Sequence, residues 1–119
     1  MHIYSAEWVW HVRWEGHSPT ALLAVDMFPD VSALRLAWVE HEGRMRTLVT
    51  SAGEAGLVRR FEYTLLSGMP GSSTLGQVVQ HVVNHATYHR GQVISLLRQM
   101  EYAVPETDLI VYFYERAGE

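Results

Sequence analysis

The stretch His81-Val82-Val83-Asn84-His85-Ala86-Thr87-Tyr88-His89-Arg90-Gly91-Gln92 decides how this chain is read. Three histidines recur at a spacing of four. On an α-helix a step of four residues turns by about 400°, so the three rings stack along one side with roughly 40° of drift per step. Leu75, Val78, Val79, Val82, Ala86, Val93, Leu97 and Met100 recur at spacings of three and four, which predicts a helix with a buried face. His85 and His89 fall on that face or at its edge. Two neutral imidazoles one turn apart are a ready pair of metal ligands. His81 drifts off their shared direction and reads as a neighbouring or surface group.

Thr74 stands where this helix should begin, and Gln77 three residues later completes a capping box; the helix is expected to run to about Tyr102. Just upstream, Arg59-Arg60-Phe61-Glu62-Tyr63-Thr64-Leu65-Leu66 is short, aromatic and β-branched and fits an edge strand. Ser67-Gly68-Met69-Pro70-Gly71-Ser72-Ser73 is turn-rich, so the two together fit a small hairpin. Before that, Val31, Leu34, Trp38, His41, Met45, Leu48 and Ala52 alternate steps of three and four. They predict a helix over about 31–52, capped by Asp30 and ended by Gly53 and Gly56. Residues 16–29 form a Gly/Ser/Pro/Asp connector. The first helix spans about 2–15, with Ile3, Ala6, Trp10 and Trp14 on one face and Gly16 past its end. A short helix over about 106–115 is expected last, with Leu109, Ile110 and Phe113 inward; a strand is the alternative there.

With 119 residues, 48% of them apolar, the chain supports one domain with one modest core. It shows no repeat or linker, so residues 1–119 read as a single helical domain. A net charge of −4 with no Lys/Arg cluster argues against nucleic acid as a partner. No apolar run approaches ~18 residues and no leader precedes the first helix, which argues against a membrane and for a cytoplasmic location. There is no cysteine, so the chain supplies no disulfide and no thiolate. Any metal must be held by histidine, carboxylate and water.

A third ligand has to come from another helix. By periodicity alone His41 is the best candidate, because it occupies a seam position among apolar residues. The plainer reading makes His41 a hydrogen-bonded core group, His11 and His17 surface or connector residues, and Glu7 a solvated group or a partner of Arg90. Asn84, Tyr88 and Gln92 are placed to orient ligands or substrate. Gly91 inside a helix marks a close approach.

The segment 81–100, followed by Val104-Pro105-Glu106-Thr107-Asp108-Leu109-Ile110, resembles the C-terminal signature of the DinB family, above all in the NHxxxHRGQ run at 84–92. His2-Ile3-Tyr4-Ser5-Ala6-Glu7-Trp8-Val9-Trp10 resembles that family's metal-ligand helix. The resemblance implies an all-α fold of the four-helix-bundle type with long crossover connections. It also implies a divalent metal on His2, His85 and His89, with zinc or nickel ahead of iron or manganese, and frequent homodimerisation. Relatives include thiol-dependent transferases and isomerases that use low-molecular-weight thiols. A metal-dependent transferase or hydrolase acting on a small-molecule substrate is thus one expectation. A non-catalytic metal-binding, stress-associated or interaction protein is the other. Family members carry a further helix before the one starting here at His2. Its absence implies a shortened chain, a partner chain filling the gap, or a reduced form, with docking of two copies the simplest compensation.

Overall fold

A computed structural model describes residues 1–118. They form four α-helices and a two-stranded antiparallel hairpin, in the order α1 (His2–Trp14), α2 (Val31–Val58), β1 (Arg60–Thr64), β2 (Pro70–Thr74), α3 (Leu75–Gln99) and α4 (Leu109–Ala117), with one 3-10 turn at Val25–Met27 in the connector. The expected helical class and the hairpin are both present. Two compact units make up the chain, residues 1–86 and the part from Thr87 onward, and the boundary falls inside α3.

In the first unit, α1 is covered on most of its circumference. Tyr4, Ser5, Val9, His11 and Arg13 are its buried residues, whereas Ile3, Ala6, Trp10 and Trp14 are only half-buried. The expected stripe is therefore the rim of the contact and not its centre. Tyr4 and His11, seven residues and two turns apart, share a side and meet α2: the Tyr4 ring stacks on Trp38 at 5.9 Å and both rings contact His41. Trp38 Nε1 donates to Glu7 Oε2 at 2.8 Å, a second tie between α1 and α2. Ser5 Oγ accepts from the Leu23 amide and pins the connector. The α1 terminus closes with paired bonds, His17 N–H to the Val12 carbonyl and Gly16 N–H to the Arg13 carbonyl, both at 3.0 Å. Gly16 sits at φ +93°, the left-handed position such a closure needs.

Asp30 Oδ1 caps α2 by accepting from the Ala33 amide at 2.8 Å. The seam is the inward side of α2, but only His41 on it is fully buried, and Val31 at its start is exposed. Gly53 breaks the helical geometry with φ +59°, as its position predicts, and a further helical turn then carries the element on to Val58. In the hairpin Arg60 pairs with Thr74 and Thr64 with Pro70. Phe61 and Tyr63, two apart on β1, point the same way and receive Trp14 and Trp10 edge-on at 5.0 and 5.1 Å. The Arg13 guanidinium lies over both Trp10 and Tyr63 at 4.6 and 5.1 Å. The capping box forms reciprocally, with Gln77 N–H to Thr74 Oγ1 and Thr74 N–H to Gln77 Oε1. Leu75, Val78 and Ala86 of α3 complete the buried apolar set with Tyr4 and Val9.

In the second unit none of the described residues is buried. The apolar face expected along all of α3 is thus realised only up to Ala86: Val93 and Met100 are exposed. α3 ends at Gln99, before Tyr102, through a closure centred on Glu101 at φ +60°. The final segment is a helix, but Leu109, Ile110 and Phe113 face solvent instead of packing inward. Amphipathic spacing fixes that a helix has an apolar side; it does not supply the surface that covers it. No described helix is long and apolar enough to cross a membrane.

Candidate metal centre

His2 is the first residue of α1, and His85 and His89 stand on successive turns of α3. Each offers one ring nitrogen, and these atoms all lie within 4.8 Å of one another. Among the described residues this is the one group of three or more His, Asp or Glu side chains so arranged. The His2 and His85 rings are 5.1 Å apart and tilted by 53°. His2 is exposed, while His85 and His89 are half-buried, so the cluster opens to solvent on its His2 side.

The donor chemistry suits a divalent cation. Imidazole nitrogen is a usual ligand for zinc and for the other first-row divalent metals. Gln92, one turn after His89, brings Oε1 to 2.7 Å from His89 Nδ1. An amide oxygen only accepts, so the contact suits the tautomer with its proton on Nδ1, in which Nε2 is the nitrogen open to a metal. An outer partner of this kind is what would orient a histidine ligand, and Gln92 is one of the three residues the sequence marks for such a role. Tyr88 also touches His89, its ring 5.1 Å away. A metal held by three imidazole nitrogens with no carboxylate in the set would keep positions for water or another ligand, as in catalytic sites.

The remaining expectations divide. His81 stays outside the cluster and rests between Trp10 at 5.3 Å and His85 at 5.6 Å. Glu7 accepts from the Trp38 indole of α2, and the Arg90 guanidinium donates to Thr87 Oγ1 one turn away in its own helix at 3.0 Å, where the sequence suggests a solvated Glu7 or a Glu7–Arg90 pair. A Cβ placed on Gly91 would meet nothing within 4 Å, so this glycine marks no close approach.

His41 does not join the cluster. It is 1% exposed and packs its ring 5.1 Å from His11, which is itself 7% exposed and not the surface residue expected. The signal for His11 was its seven-residue spacing from Tyr4 on a helix that meets the α2 seam. Neither His41 ring nitrogen has a hydrogen-bond partner, so it is not the satisfied core group expected either. Burial, reinforced by His11 and Arg44, pushes the His41 pKa down to about 4; the Glu7 backbone opposes this from outside hydrogen-bond geometry. Burial also lowers His11, against the opposing charge of Glu15, whose Oε1 is 3.6 Å from His11 Nε2.

Comparison with known proteins locates this architecture. The stretch of best agreement with Protein DinB of Bacillus subtilis (strain 168) is 45% identical over 42 residues, which is 35% of this chain and 24% of that protein. The match therefore spans about a quarter of that relative's length. No solved structure matches the chain significantly. The model of the DinB family matches residues 1–117, almost the whole sequence, and the chain belongs to the DinB family.

Proposed function

We propose that His2, His85 and His89 hold one divalent cation, zinc or nickel ahead of iron or manganese, and that the protein is a metal-dependent enzyme acting on a small molecule, a thiol S-transferase, isomerase or hydrolase. The observation that carries this reading is the convergence of three imidazole nitrogens within 4.8 Å. A cation held there supplies the charge that lowers the pKa of a coordinated thiol or water. The residues around it then have separable tasks. His85 and His89 present their nitrogens from a rigid helix, and Gln92 holds the His89 ring in the tautomer that leaves Nε2 available. His2 closes the site from a second helix. Tyr88, 64% exposed and in contact with His89, borders the solvent side where a substrate enters. A low-molecular-weight thiol would come from solution, since the chain has no cysteine.

The same reading places the protein in the cytoplasm as a homodimer. The exposed apolar side chains of α4, including Leu109, Ile110 and Phe113, support an association that would cover them.

The test is metal content, then turnover. Purified wild-type protein should retain close to one equivalent of divalent metal, and the double variant His85→Ala/His89→Ala should retain almost none. Equal metal in both would remove the proposed site. Metal-loaded protein should also accelerate transfer of a small thiol to an electrophile in a metal-dependent manner. Stoichiometric metal without any such acceleration would favour a non-catalytic metal-binding role.

A further inference from the structure

The buried pair His11 and His41 belongs to no part of the metal centre, and it lies where α1 meets α2. The rings are 5.1 Å apart at a 58° tilt, His41 is 1% exposed, and both of its nitrogens lack partners. Tyr4 closes over His41 edge-on at 5.4 Å. The charged and titratable groups around the pair are few. From α1 come Tyr4, the Glu7 backbone, the Glu7 carboxylate, which accepts from Trp38 and acts on Tyr4, and Glu15, the last beside His11 alone. From α2 come Arg44, which acts on both imidazoles, and Glu40, which pairs with Arg44 at 3.9 Å. The connector contributes Phe28 against Tyr4, which carries no charge.

No carboxylate is among the groups that act on His41, and the one guanidinium that does, Arg44, has the same sign an imidazolium would have. A proton on His41 is therefore placed in a dry site against like charge, while Glu15 offsets part of that cost only for a proton on His11. The site gains relief by separating α1 from α2 and admitting water. Tyr4, which covers His41, is only two residues from His2. Any movement of α1 away from α2 is thereby delivered to the third member of the metal cluster.

We propose that the His11–His41 pair is an acid-sensitive latch: its protonation frees α1 from α2 and withdraws His2 from His85 and His89, so that mild acid discharges the metal. The latch itself depends only on the α1–α2 packing; its effect on metal rests on His2 being a ligand.

The experiment titrates wild-type protein and His41→Phe from pH 7.5 to 4, with and without one equivalent of zinc. Near-ultraviolet circular dichroism follows the Tyr4–Trp38 packing, and a zinc-sensitive dye follows release. Without zinc, wild type should lose the aromatic signal as pH falls from 6.5 toward 4, and His41→Phe should hold it at least about one pH unit lower. Zinc release should follow the same order. If His41→Phe does not fold, His11→Gln replaces it, and the midpoint should again move to lower pH. Coincident midpoints for wild type and a folded variant overturn the latch. A shifted aromatic transition with unshifted zinc release overturns its coupling to the metal. Failure of the wild-type protein to bind zinc at pH 7.5 overturns the metal reading and that coupling with it, while the zinc-free titration still decides the latch.

Discussion

Gln92 Oε1 stands 2.7 Å from His89 Nδ1, across one turn of the same helix. This relationship turns a histidine at the correct spacing into one with a defined tautomer. Gln92→Leu keeps the helix and nearly the side-chain volume but removes the acceptor. Metal affinity should fall by roughly 10–100-fold with stoichiometry unchanged. Competition against a chromophoric chelator measures this, and an unaltered affinity would show that Gln92 does not hold the ligand.

The Trp38–Glu7 bond ties α2 to α1 at 2.8 Å in a part-buried setting. A double-mutant cycle with Trp38→Phe and Glu7→Gln, read by urea unfolding, should give a coupling of about 1–2 kcal/mol. A coupling near zero would mean that the indole and carboxylate act independently in holding α1.

Acid should destabilise the protein through His41 in a defined direction. Its folded-state pKa is lowered to about 4 from an ordinary 6.5, so the unfolded chain binds the proton more readily. The native state is thus undiminished above pH 6.5, loses stability as pH falls below it, and stops losing near pH 4. The difference of about 2.5 units corresponds to about 3 kcal/mol. Urea midpoints at pH 7 and pH 4.5 should differ clearly more for wild type than for His41→Phe. Parallel pH dependence in both would assign the acid sensitivity elsewhere.

Two glycines should respond with opposite signs to alanine. Gly16 holds φ +93° at the end of α1, so Gly16→Ala should destabilise by about 1 kcal/mol although nothing lies near its Cβ position. Gly91 is inside α3 with equally open space, so Gly91→Ala should stabilise by up to about 1 kcal/mol. Thermal unfolding of the two variants checks the pair, and a common sign would contradict the backbone argument.

Which features were legible in the sequence follows from how local their causes are. Asp30, the Thr74–Gln77 box, Gly16 and Gly53 act on backbone groups within a few residues, and each appears where it was expected. The spacing of His85 and His89 is likewise a property of one helix. Burial is not local. In sequence His11 looks like a surface residue, because only the fold brings His41 of α2 against it. The apolar side of α4 was equally plain in its sequence, yet Leu109, Ile110 and Phe113 remain exposed because covering them needs another surface. The choice of His2 over His41 as third cluster member was carried by the family resemblance and not by periodicity, since His41 had the better seam position.

Arg13 brings a different consequence. The residue is 4% exposed and its guanidinium lies against Trp10 and Tyr63, and Trp14 meets Phe61 one turn beyond Trp10. None of these groups changes charge between pH 4 and 7. The grip of α1 on the hairpin is therefore indifferent to the protons that would loosen its grip on α2. Acidified, the helix would not be shed but would pivot about its aromatic end, and on neutralisation it would swing back without having to find its place again.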